Sequence, residues 1–148
     1  MAGKITITQR PQPRSLDFNS GQMTRIGDRV TASIRNRIER GYDVYDRPAP
    51  PLRQATPARR ANGFAALVGY VMTKVSKYGG RPIRNWHRTG ETLGAMGVIE
   101  ASTNRVVIGF RTMQANLRAA KNNARWPQFG ISPSDQSVLN KALESERD

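Results

Sequence analysis

Cysteine is missing altogether from these 148 residues, and histidine occurs once, as His87. Without thiols there are no disulfides, no thiolate nucleophile and no cysteine-rich zinc site, and a lone imidazole rules out a two-histidine metal site. Acidic residues are scarce, 11 against 24 Lys and Arg, and residues 52–90 hold none. Long apolar runs are also lacking. The opening stretch MAGKITITQRPQPRS has nothing of signal-peptide length, and no segment is long enough to cross a bilayer, so neither secretion nor membrane insertion is expected. An apolar fraction of 37%, below the globular norm, implies one modest core with arm and loop around it.

What is abundant is positive charge, +13 in all. Eight of the bases fall in the acid-free block: Arg53, Arg59, Arg60, Lys74, Lys77, Arg81, Arg84 and Arg88. Such a block sets up a local field that attracts phosphate or an acidic protein surface; the plainer alternative is a solvated face that only aids solubility.

Periodicity then supplies the elements. Residues 1–18 mix Thr, Gln, Pro and Arg, and are expected to form an extended arm that orders against a neighbour, with ITIT as a short edge strand. Met23, Ile26, Val30, Ile34 and Ile38, spaced 3, 4, 4 and 4, place one apolar stripe on a helix from Ser20 to Arg40. Asn19 or Ser20 caps its start and Gly41 its end, and Arg25, Asp28, Arg29, Arg35, Arg37 and Glu39 are assigned to the opposite, solvent face. A Pro-rich loop follows at 42–57, with Tyr42 and Tyr45 placed for contact with a partner or with the domain's own core.

A second helix is expected over 58–78, with Phe64, Leu67, Val68, Val71, Met72 and Val75 as its apolar face and Lys74 and Lys77 in its last turn. TGETLGAM predicts a short helix capped by Thr89. Residues 98–101 and 106–110, joined by Ser102-Thr103-Asn104, predict a β-hairpin. Residues 113–123 return to helical composition. Ser132-Pro133-Ser134-Asp135 opens a last helix with a capping box. Two strands are too few for an independent sheet. The expected fold class is therefore α+β: a long amphipathic helix and further helices on a small antiparallel sheet, completed by the arm or by a neighbouring subunit. The arm, 1–18, precedes a single domain over 19–148.

The strip RPIRNWHRTGET (81–92) concentrates rare residue types, but no chemistry converges there. His87 has no partner. Asp43, Asp46, Glu91, Glu100 and Asp135 show no pairing on a helix face, Gly79-Gly80 leads into Arg81-Pro82 rather than a phosphate-loop lysine, and no Gly-x-Ser-x-Gly elbow occurs. An enzyme is not expected, and no cofactor or metal. Nucleic-acid binding has the charge, and Trp86 as a stacking ring, but no zinc finger, RNP strand or helix-turn-helix spacing. Trp86 and Phe129 are expected in the core.

Five pieces taken in order carry a resemblance: GDRVTASIRNRIERG (27–41), DRPAPPL (46–52), RPIRNWHRTGETLGAM (81–96), NRVVIGF (104–110) and QFGISPSD (128–135). Their succession resembles the tailed-phage virion-morphogenesis, or tail-completion, proteins of the neck between head and tail. Residues 1–18 and the stretch MQANLRAAKNNARWP depart from that pattern. The resemblance implies a structural protein without catalytic activity, forming a homo-oligomeric ring at the head–tail junction. It would sit in the virion after assembly in the host cytoplasm, between head connector or portal-side proteins and tail tube proteins, with non-specific contact to packaged DNA. On this reading Tyr42, Tyr45, Arg47, Pro48, Pro50, Pro51 and Leu52 form an interface loop. Arg53, Arg59, Arg60, Arg81, Arg84 and Arg88 make electrostatic contacts with DNA or an acidic partner. The competing expectation is a free basic nucleic-acid-binding module.

Overall fold

The computed structural model describes residues 3–8, 18–50, 86 and 90–148. In chain order these give β1 (Ile5–Thr8), α1 (Ser20–Glu39), α2 (Glu91–Gly94), β2 (Met96–Ala101), β3 (Arg105–Phe110), α3 (Met113–Arg125) and α4 (Pro133–Ser145). The architecture is α+β, with a three-stranded antiparallel sheet in the order β1-β3-β2. The expected helix over 58–78 lies outside the described residues.

The register decides which side chains meet. Ile5 and Ile7 of β1 stand opposite Ile108 and Val106. Val98 and Ala101 of β2 oppose the same two residues from the other side, with a bulge between Val98 and Glu100. Because side chains alternate along a strand, these residues form one apolar face. Against it lies α1, whose Ile26, Val30, Ile34 and Ile38 are completely buried. Each large aliphatic side chain removed from water contributes about 1.5–3 kcal/mol, so this stripe anchors the helix to the sheet.

The closest approach is at Gly27, where an added Cβ would lie 2.6 Å from Val106 Cγ2 and 2.7 Å from Val98 Cγ2. No helix with a side chain there can seat itself as deeply on the sheet. At one end of α1, Asn19 and Gln22 form a reciprocal capping box. At the other, Gly41 adopts φ 81°. The Gly41 and Tyr42 amides donate to the Ile38 and Arg37 carbonyls, the paired bonds of a Schellman motif.

α4 packs beside α1. Its start has the expected capping box: Ser132 accepts from the Asp135 amide and Asp135 from the Ser132 amide. Its end is tied back by Gln22 Nε2 donating to the Glu146 carbonyl at 2.7 Å and by Arg25 paired with the Glu146 carboxylate. The short helix α2 differs from expectation at its start. Its cap is Gly90, at φ 83° with no side-chain cap bond, one residue beyond Thr89.

Arg37 also departs from the sequence reading. It is only 6% exposed and belongs to the buried side of α1, not the solvent face. It stands three residues after Ile34, in step with the apolar stripe, so position overrides polarity once a buried acceptor set is available. Trp86 and Phe129 are buried and flank Phe110, with ring centroids 6.1 Å and 5.1 Å from it respectively.

The contact at Gly27 yields a test. Gly27→Ala gains helix propensity of about 1 kcal/mol, but the overpacking against two valines costs about 1–3 kcal/mol. The expected outcome is net destabilisation, seen as a lower urea midpoint with an unchanged denaturant slope.

Candidate docking loop

The described part of the Pro-rich loop, residues 41–50, is built as a fixed projection. The bridge between Tyr42 and Pro48 closes its base, and the Ala49 amide donates to the Gly41 carbonyl at 2.7 Å. Inside the turn sits Asp43, wholly buried, whose carboxylate accepts from the Tyr45 amide at 2.8 Å and the Arg47 amide at 2.9 Å. Burial alone would raise this carboxyl. The hydrogen bonds from the Arg47 and Tyr45 amides and the Arg47 guanidinium outweigh burial and hold it below its ordinary value.

Asp46, at φ 58°, turns the other way and reaches α4. It accepts from the Ser134 amide at 2.8 Å and the Ser134 hydroxyl at 2.6 Å. Here too burial works to raise the carboxyl, and the Ser134 bonds with the field of Arg37 win, so it is lowered.

Beneath the loop lies Arg37. Its Nε donates to Asp135 at 2.8 Å, Nη1 to the carbonyls of Gln128 and Tyr42, and Nη2 to the carbonyl of Gly130. Asp135 in turn accepts from Ser33 Oγ at 2.6 Å and from the Ser132 amide. The Val44 amide donates to Pro127, and Asn123 Oδ1 accepts from the amides of Gln128 and Phe129. A single buried guanidinium thus joins α1, the loop base, the Gln-Phe-Gly segment and the start of α4. A groove of about 430 Å³ opens beside it, with Asn36, Arg40 and Val138 among its walls.

What this frame presents to solvent is Tyr45, 62% exposed, with the Arg47 guanidinium stacked 4.7 Å from its ring centroid. Arg47 is itself held by Asp43. Tyr42 is half-buried under Arg40. Pro48 and Pro50 are exposed. Of the residues expected to act, Tyr42, Tyr45, Arg47, Pro48 and Pro50 are therefore brought together on one projection. Pro51, Leu52, Arg53, Arg59, Arg60, Arg81, Arg84, Arg88 and His87 lie outside the described residues.

Comparison with protein-family models, with curated proteins and with solved structures yields no match. Among the described residues no three His, Cys, Asp or Glu side chains gather as a metal site, and no helix is long and apolar enough to cross a membrane. Sequence reasoning placed Asp135 as a capping-box residue but missed its pairing with Arg37, and missed the rest of the frame beneath the loop: Arg37, Asp43 and Asp46. The signals were present in the phase of Arg37 with the apolar stripe and in Asp43 standing two residues before Tyr45, the spacing of an Asx turn.

Two outcomes follow from the frame. Arg37→Met leaves Asp135 buried and uncompensated, at an expected cost of about 3–5 kcal/mol in urea unfolding. Adding Asp135→Leu does not restore stability, because the Gln128 and Gly130 carbonyls still lack the guanidinium and the Ser132 amide loses its acceptor. The second outcome concerns acid. Asp43 and Asp46 are lowered in the fold, so their contribution is complete above the ordinary carboxylate value of about 4 and is lost as pH falls below it. Asp43→Asn is expected to be less stable at neutral pH, yet to lose less stability between neutral pH and the acid limb, as read by thermal melts across that range.

Proposed function

We propose that this chain is a structural protein of the tailed-phage neck, a tail-completion component that assembles as a ring between head connector and tail. The observation that carries the reading is the loop 41–50. Tyr45 and Arg47 are held out on a frame fixed from below, and Arg47 lies inside one of the segments, DRPAPPL, that bears the family resemblance. Preorganisation lowers the entropy lost on docking, and Tyr and Arg are the residue types that anchor interfaces. Ring closure needs a second, different surface on each copy. The β2 edge of the sheet, unpaired among the described residues, is where a neighbouring subunit would complete it. Repetition around a ring lets contacts of modest strength add up.

The acid-free block, with Arg53, Arg59, Arg60, Arg81, Arg84 and Arg88, is assigned to the acidic face of a connector or to DNA in the channel. The alternative, a free nucleic-acid-binding module, rests on the same +13 charge. It would show duplex affinity falling steeply with salt.

Mass photometry separates the two. The purified chain, alone or with portal-side and tail tube proteins, is expected to form closed oligomers, and Tyr45→Ala with Arg47→Ala to reduce them without unfolding the domain. A strict monomer that binds none of these proteins would contradict the neck reading. Salt-sensitive DNA binding abolished by exchanging Arg81, Arg84 and Arg88 for Glu would then favour the alternative.

A further inference from the structure

α3 is amphipathic the wrong way round. The side it buries carries Ala115 and Ala119, while its two large aliphatic residues face solvent, Met113 at 81% exposure and Leu117 at 55%. Steps of four residues continue that outward row through Lys121 to Arg125, both exposed, with exposed Ala124 beside them. Residues 111–134 contain four bases and no acid. The outer face of α3 is therefore an aliphatic half followed by a cationic half along one line.

We propose that this face docks an acidic, amphipathic segment of a protein partner. Met113 and Leu117 enter the partner's apolar stripe, and Lys121 and Arg125 meet its carboxylates. Other occupants fit less of the row. A nucleic-acid backbone would satisfy the cations but bury neither aliphatic side chain, and the row holds no aromatic ring on which a base stacks. An anionic bilayer takes up helices with a broad apolar face, whereas here the opposite side of the helix is occupied by the domain. A second copy of the same face would set its cations against aliphatic side chains when antiparallel, or against cations when parallel, and supplies no carboxylate in either case. An acidic amphipathic segment uses both halves at once, in the manner of a helix laid in a groove. The inference does not depend on the ring reading.

The test uses the full chain with its methionine methyl groups labelled for NMR. The probe is a synthetic helical peptide with a leucine stripe flanked by glutamates; its controls replace the leucines by serine. The leucine peptide is expected to shift the Met113 methyl resonance saturably. Its affinity, from fluorescence anisotropy, is expected to fall about tenfold for Leu117→Ser and likewise for the pair Lys121→Glu and Arg125→Glu. These are exposed positions, so the fold is expected to persist, and a retained thermal transition checks it. Equal binding of the serine peptide, or no shift at Met113, overturns the proposal. So does a larger Met113 shift with duplex DNA or phosphatidylserine vesicles. A Met113 methyl that moves with protein concentration alone would assign the face to a second copy, and one shielded from a soluble paramagnetic agent in the free chain would show the chain covering it. Either result also overturns it.

Discussion

The ion pair between Arg37 and Asp135 is the constraint on which the arrangement of the described domain depends. Both side chains are almost fully buried, at 5% and 0% exposure, and they come from positions 98 residues apart. Two charges taken out of water are held only if their remaining hydrogen-bonding capacity is met. Here it is met from every side: Arg37 reaches three backbone carbonyls, and Asp135 accepts from Ser33 and from the Ser132 amide. Removing either partner leaves the other's set open, so the geometry is fixed as a unit. An apolar core alone tolerates sliding between helices. A guanidinium with assigned acceptors does not.

The consequence is felt at the surface. The carbonyls that Arg37 holds belong to the base of the 41–50 loop and to the Gln-Phe-Gly segment, and Asp46 ties the loop's far side to the start of α4. Tyr45 and Arg47 thereby project from a rigid mount although the segment is short of regular secondary structure. Exposed aromatic and cationic groups on a fixed mount suit docking, and that is why the loop carries the proposed structural role. The outer row of α3 presents a second kind of surface, chemically distinct from the first: aliphatic and cationic, without aromatics.

Local rules in the sequence foretold several elements. The 3-4 spacing from Met23 to Ile38 located α1, the Ser132-to-Asp135 capping box located the start of α4, and alternating Val and Ile around Ser102-Thr103-Asn104 located the β2–β3 hairpin. These depend on neighbours within a few residues. Long-range pairing was not legible. Arg37 looked like one more charge on a solvent face because its acceptors lie far along the chain. Asp43 carried only the local spacing of an Asx turn, and Asp46 no signal at all, since its partner Ser134 is brought near by folding. The α2 cap shifted from Thr89 to Gly90 because a left-handed residue starts that turn without a side-chain acceptor. Composition marked 113–123 as helical but gave no sign that its alanines, rather than Met113 and Leu117, would face inward. Which side a helix buries is set by the shape of what it packs on.

Amide hydrogen exchange on the free chain tests most directly whether the loop is organised before any partner arrives. The amides of Asp43, Val44, Tyr45 and Arg47, all hydrogen-bonded, are expected to exchange slowly in the wild-type chain. In Arg37→Met they are expected to lose protection before the centre of α1 does. Exchange of these four amides at open-coil rates in the wild-type chain, while α1 remains protected, would contradict a preorganised loop.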